Sequence, residues 1–409
     1  METETKLISI ETITPSYPTP KSLQKHQLSY LDQTMLPSFI HLVYFYSPNP
    51  KISNSEKSKQ LKKSLSEALS IYYPLAGRLV GNLYVDCNDA GIPFSEAEAD
   101  IDLSQVTTNQ NHTYLKKFLP LTTDDLCLAI QATFFRCGGL AVGISFAHKI
   151  GDGLSFVLFV NTWSAVARDG SGGGVALPKF DTATYAPPLD VLNELQQPAA
   201  EGLKEEEVAG RILTFSATEI AALQERYAGS NGRRPTRVEA LSAFIWSVYT
   251  EIKSEPGWVG LVYKMANLRS RAEPPLSEYQ FGNVIVTLRV DVAAGNSGGE
   301  LTWKLRDALK EIDGGYLGRL KKREVQMEEL TAHTQDSQRA MERFFFSSWC
   351  RFPFYEADFG WGGPERVING GSPVKNVAYF MDTKSGGGIE ILLQLTKSNM
   401  DKLEARLML

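Results

Sequence analysis

Residues 139–153 read Gly139-Leu-Ala-Val-Gly-Ile-Ser-Phe-Ala-His-Lys-Ile-Gly-Asp-Gly153. Leu140, Val142, Ile144 and Phe146 alternate with small residues, which is the two-residue period of a strand. Gly151 and Gly153 then break the strand pattern. A helical pattern resumes at about Leu154 and runs to Arg168, with Gly170 as its stop. A buried strand that turns sharply into a helix points to an α/β fold, and His148 stands at the turn.

The pattern extends outward from this unit. Leu61, Leu65, Ala68, Leu69 and Tyr72 fall at helical spacing and predict an amphipathic helix over 56–73, ended by Pro74. Leu79–Asp86 and Leu128–Phe135 read as strands, and His41 begins an apolar strand to Phe45. Residues 169–208 hold a Gly-rich run, the pair Pro187-Pro188, Pro198 and the acidic cluster Glu205–Glu207, a composition that suits a surface crossover. After it, Ser216 with Glu219 and Thr236 with Glu239 fit capping boxes, the second opening an apolar helix through Trp246. Strands are expected over 258–267, 283–292, 376–382 and 389–396. A long helical region is expected over about 300–346, interrupted near Gly314-Gly315. A chain of 409 residues exceeds one compact core. The reading is two mixed α/β domains, 1–185 and 211–409, joined by a crossover at 186–210.

Composition narrows the function. A net charge of −5 and a pI near 5.7 argue against a general nucleic-acid or anionic-membrane role, so no nucleic-acid or membrane partner is expected. The four cysteines, Cys87, Cys127, Cys137 and Cys350, form no C-x-x-C pair and no disulfide framework, which indicates a reducing compartment and no zinc site. Met1–Ser16 carries no apolar signal core and no stretch approaches 18 uninterrupted apolar residues, so the expected location is the cytosol.

Five histidines are present, at 26, 41, 112, 148 and 333. His26, His112 and His333 lie in polar surroundings and read as solvated. His41 either lines a pocket or caps its strand. His148 is placed best for proton transfer, because a strand end fixes its backbone while the turn leaves the side chain reachable. Asp152, four residues on, either holds the turn or orients the imidazole. No third ligand for a metal is near, and no G-x-S-x-G elbow marks a serine hydrolase.

His148-Lys-Ile-Gly-Asp-Gly153 resembles the H-x-x-x-D-G signature of the BAHD acyltransferases, and Asp358-Phe-Gly-Trp-Gly362 matches their second hallmark, D-F-G-W-G. Ser348-Trp-Cys-Arg-Phe-Pro-Phe-Tyr355 is similar to the vinorine-synthase-like branch, whose members are alkaloid and terpenoid O-acetyltransferases. Tyr73-Pro-Leu-Ala-Gly-Arg78, Asn267-Leu-Arg-Ser-Arg271, Pro274-Pro-Leu276 and Phe281-Gly-Asn283 are further family segments, in family order. Tyr279-Gln-Phe-Gly-Asn-Val284 is not the Y-F-G-N-C string of the malonyl-transferring branch.

The resemblance implies two chloramphenicol-acetyltransferase-like domains with a solvent channel between them. It implies a monomer that moves an acyl group, acetyl by preference, from acyl-CoA as co-substrate to a small-molecule alcohol. His148 would be the general base, with Asp152 as structural support and no acyl-enzyme. Asp358, Gly360, Trp361 and Gly362 would be structural, with Asp358 paired to Arg269 or, second, to Arg271. Ser242 and nearby basic residues, Arg269 and Arg271 among them, would face coenzyme A. The runner-up donor is an aromatic or longer acyl-CoA, with a phenolic or alkyl acceptor. From other classes, a non-catalytic small-molecule binder and a carrier-dependent condensation enzyme stand as alternatives.

Overall fold

The computed structural model describes residues 5–107, 112–170, 174–190, 192, 208–229, 232–253, 259–293, 297–325, 342–372 and 374–407. Its architecture is mixed α/β in two compact units. One unit gathers Met1–Ala199, Ser277–Val284 and Phe352–Ser372; the other gathers Ala200–Leu276, Ile285–Arg351 and Pro373–Leu409. The units therefore do not follow chain order, since two short segments of the second half fold into the first unit. One of them supplies Arg366–Asn369, a strand that pairs antiparallel with Phe39–Tyr46. Of the expected crossover at 186–210, residues 191 and 193–207 lie outside the described residues.

The first unit is built on a six-stranded sheet. Its order is Thr5–Ile13, Ile92–Ala99, Leu128–Phe135, Leu140–Ala147, Phe39–Tyr46 and Arg366–Asn369. Only Ile92–Ala99 and Leu128–Phe135 run parallel to each other. Leu140–Ala147 is buried along its whole length, on both faces. Phe146 stacks on Phe156 of the following helix, centroids 4.9 Å apart. The small residues of the other face are explained at Gly143. A Cβ there would sit 1.7 Å from the carbonyl oxygen of Phe118, so any side chain would drive the His112–Phe118 segment off the sheet.

The second unit repeats the plan. Its sheet runs Ile285–Ala293, Val259–Asn267, Glu342–Ser348, Val377–Asp382, Ile389–Thr396 and Val208–Phe215. Its core joins Leu241 and Trp246 of the helix Arg237–Lys253 to Val262, Phe344, Phe346, Phe380 and Leu393. Both capping boxes form: Ser216 closes with Glu219, and Thr236 with Glu239. Among the described residues no helix is long and apolar enough to cross a membrane.

Three expectations are corrected. Residues 342–346 are strand rather than the tail of a helix, because Phe344 and Phe346 enter the core while Phe345 stacks on Tyr263 at 5.0 Å. Leu79–Asp86 is not one strand but two, Arg78–Val80 and Tyr84–Asp86, paired across a turn where Gly81 holds φ 56°.

His26 is the third. It is only 6% exposed, in the strand Lys25–Gln27, and its ring meets Phe180 edge-on at 5.7 Å. Burial lowers its pKa from 6.5 to about 4. A depressed histidine stabilises the fold fully above the unfolded value of 6.5, and that stability drains away as pH falls toward 4. The shift corresponds to about 3 kcal/mol. Urea unfolding should therefore show the wild type losing more stability than His26→Phe between pH 7 and pH 4.5. Equal losses would show that the ring titrates normally. His333 lies outside the described residues, and the surroundings of the His112 side chain are likewise not described.

Candidate functional site

The site begins where the strand Leu140–Ala147 ends. His148 opens a single 3-10 turn, His148–Ile150, and the helix Gly153–Asp169 starts immediately after it. The His148 N–H donates to the Ser38 carbonyl at 2.8 Å, which ties the turn to the neighbouring strand's lead-in. Its carbonyl accepts from Asn283 Nδ2 at 2.7 Å. The imidazole is half-buried, and Nδ1 has no hydrogen-bond partner among the described residues.

Burial holds the His148 pKa below 6.5, so the ring is neutral at pH 7. Its own carbonyl, the charge of Asp152, the Asn283 side chain and the charge of Asp32 oppose that shift. A neutral imidazole is the form that accepts a proton.

Asp152 holds the turn through backbone contacts, and its charge also acts on the imidazole. Its Oδ1 accepts from the Ser155 N–H at 2.9 Å, capping the helix, and its Oδ2 accepts from the Val284 N–H at 3.0 Å. Its own N–H donates to the Gly282 carbonyl at 3.3 Å. The carboxylate is 2% exposed, so both oxygens are taken up by backbone in a dry setting.

Three residues that the motifs did not single out for a role, Asp32, Asn283 and Lys149, complete the surroundings. Asp32 sits in a capping box with Ser29 on the short helix Tyr30–Gln33. Its carboxylate accepts from Ser29 N (2.8 Å), Ser29 Oγ (2.6 Å), Asn283 N (2.8 Å) and Asn283 Nδ2 (2.9 Å). Burial raises its pKa and these donors oppose the rise, those of Ser29 and Asn283 alike. Beside the turn, Lys149 Nζ donates to the Gln33 carbonyl at 3.0 Å and to Asn82 Oδ1 at 2.8 Å, and burial brings its pKa down to about 8. Asn283 lies within the family segment Phe281-Gly-Asn283, so its presence was legible; its reach to Asp32 was not.

His41 lies opposite Ser145 in the sheet, with Nδ1 2.8 Å from Ser145 Oγ.

The D-F-G-W-G loop falls in the first unit. Asp358 Oδ1 accepts from the N–H groups of Gly360 (2.8 Å) and Gly362 (2.9 Å), whose φ values of 104° and 101° suit glycine. Trp361 stacks on Phe359 at 5.6 Å and meets Tyr46 edge-on at 6.2 Å, while Phe359 packs against Trp163 at 4.7 Å. Gln60 Nε2 donates to the Phe359 carbonyl at 2.7 Å. Asp358 is engaged by its own turn, and the rings of Phe359, Trp361, Tyr46 and Trp163 pack on one another.

The residues expected to face coenzyme A lie in the second unit. Ser242 is buried in the helix Arg237–Lys253, and its Oγ has no hydrogen-bond partner among the described residues. Arg269 is buried and its N–H donates to Asn267 Oδ1 at 2.9 Å; Arg271 N–H donates to the Leu268 carbonyl in the same turn. Burial lowers the pKa of Lys264, Glu239 opposes that shift, and Arg271 and Arg306 add to it. Lys264, Arg271, Arg306 and Glu239 are near enough to act on one another's charge, and Glu239 is paired with Arg306 at 2.7 Å.

The Transferase family model matches residues 4–408. The chain is 33% identical to stemmadenine O-acetyltransferase of Catharanthus roseus, over 99% of the chain and 97% of that protein. It is 35% identical to vinorine synthase of Rauvolfia serpentina, over 100% of the chain and 98% of that protein. The crystal structure of vinorine synthase superposes with a TM-score of 0.85 and covers 99% of this chain and 98% of that one. A more distant structure, F. sporotrichioides TRI101 complexed with coenzyme A and T-2, is 16% identical with a TM-score of 0.71 over 93% of this chain and 97% of that one, which speaks to the fold alone.

Proposed function

We propose, since this chain belongs to the Transferase family of acyltransferases, that it carries acetyl from acetyl-CoA to a hydroxyl of an alkaloid or terpenoid, with His148 as the general base. The observation that carries this reading is the neutral, half-buried imidazole of His148 at the end of a rigid strand, its turn locked by Asp152. The similarity to stemmadenine O-acetyltransferase, whose name gives acetyl transfer to an oxygen, supports the acetyl donor and the hydroxyl acceptor.

An alcohol is a poor nucleophile near pH 7. His148 Nε2 takes its proton as the oxygen bonds to the thioester carbonyl carbon, and the resulting imidazolium returns the proton to the sulfur as the C–S bond breaks. A positioned base of this kind contributes about 10²–10⁴-fold, and holding both substrates together adds proximity. The thioester is already activated, so no acyl-enzyme is required. Ser242, Arg269, Arg271 and nearby basic residues are assigned to coenzyme A, whose phosphates suit arginines and a helix N-terminus. The D-F-G-W-G residues Asp358, Gly360, Trp361 and Gly362 are assigned to structure. The protein is assigned to the reducing cytosol as a monomer, in keeping with its free cysteines.

Two measurements test the reading. Purified protein offered acetyl-CoA, longer and aromatic acyl-CoA donors and a panel of alkaloid, terpenoid, phenolic and alkyl alcohols should form acetyl esters of the first two classes, read by mass spectrometry. Absence of any ester across the panel would favour a small-molecule binder. The pH profile of kcat/KM should fall on the acid side with a midpoint below 6.5, since protonation of His148 removes the base and burial keeps it deprotonated. A midpoint above 6.5 would assign the limb to another group.

A further inference from the structure

The orientation of Asn283 is forced. Its amide nitrogen donates to two oxygens at once, Asp32 Oδ1 at 2.9 Å and the His148 carbonyl at 2.7 Å, and neither oxygen would tolerate the amide carbonyl in its place. Asp32 receives four donors and offers none back, the pattern of an ionised carboxylate. This orientation leaves Asn283 Oδ1 buried and without a partner among the described residues. His148 Nδ1 is also buried and without one. Two orphaned buried atoms on adjacent groups, one an acceptor and one able to carry a proton, are complementary.

We infer that Asp32 and Asn283 are positioning residues: Asp32 fixes Asn283, and Asn283 presents its Oδ1 and the pinned His148 carbonyl to Nδ1, so that the neutral imidazole carries its proton on Nδ1 and leaves Nε2 bare as the base. The Asn283 side chain and the His148 carbonyl both raise the pKa of the ring, as acceptors for a ring N–H do, while the charges of Asp152 and Asp32 act in the same direction. Lys149, next along the turn, is committed to Gln33 and Asn82. Neither Asp32 nor Asn283 needs to touch substrate for this role. An imidazole with the proton on the wrong nitrogen would present a donor to an alcohol whose proton it must remove.

The inference rests on His148 as the base, and its test is independent of turnover. Histidine labelled with ¹⁵N reports the tautomer directly, the His148 signal being assigned by its loss in His148→Ala. In the wild type at pH 8 the Nδ1–H form is expected; an Nε2–H form overturns the inference even where His148→Ala abolishes activity, and so separates it from the proposed function. In Asn283→Ala the ring should populate both tautomers and its pKa should fall. The kcat should drop by about 10–100-fold, as for other residues that orient a functional imidazole, with the KM for acyl-CoA within about twofold. A retained tautomer and pKa in a folded Asn283→Ala overturns the inference. Should that variant not fold, Asp32→Asn carries the same test, because it places an amide where Asn283 needs a carboxylate.

Discussion

Replacement of His148 by alanine is expected to lower kcat/KM for ester formation by at least about 10²–10⁴-fold, the usual contribution of a positioned base. The same variant should unfold at nearly the wild-type urea midpoint. The strand, the 3-10 turn and the helix cap are held by backbone bonds of His148 and by Asp152, none of which uses the imidazole. The contact inferred for the ring, Nδ1–H toward Asn283 and its own carbonyl, is worth about 0.5–1.5 kcal/mol, a small share of the whole. Added imidazole at pH 8 should restore part of the rate. A variant that keeps a tenth or more of the wild-type kcat/KM would remove His148 from the chemistry.

Asp152→Ala should instead fail through stability. The substitution removes the cap of the helix Gly153–Asp169, which costs about 0.5–2 kcal/mol. It also leaves the Val284 N–H buried without its acceptor, for about 1–3 kcal/mol more. A loss of about 1.5–5 kcal/mol in urea unfolding is expected, with activity falling because the His148 turn loses both anchors. Asp152→Asn should lose less, since an amide oxygen still caps Ser155. Lost activity at unchanged stability in Asp152→Ala would mean that the carboxylate acts on the imidazole directly.

How much of this was legible in the sequence depends on the distance over which each interaction forms. The strand Leu140–Ala147 and its turn were readable because period and glycines act within a few residues. The capping boxes at Ser216 and Thr236 are local in the same sense. The strand Ile92–Ala99 was not read, because Pro93, Glu96 and Glu98 disguise it. Glu96 is accommodated by Lys62 at 2.9 Å and by a hydrogen bond from Ser58. Arg366–Asn369 has only four residues and its partner strand lies far back in the chain. The run Glu342–Phe346 could not be told from a helix end by period alone, since consecutive phenylalanines serve both faces of a sheet. At the site, His148 and Asp152 were legible as a motif, but Asp32 and Asn283 are 251 residues apart and nothing local in either signals the other. That pairing forms because the segment Ser277–Val284 belongs to the first unit, a fact of topology that residue patterns do not carry.

The central claim is that an alcohol, deprotonated by His148, attacks the thioester directly. Rapid mixing of the enzyme with acetyl-CoA alone, followed by intact-mass analysis and thiol titration, tests it most directly. The account predicts an unmodified chain and no thiol release until the alcohol is added, then one thiol for each ester formed. A burst of one thiol per enzyme with an acetylated chain, before any alcohol is present, would contradict it.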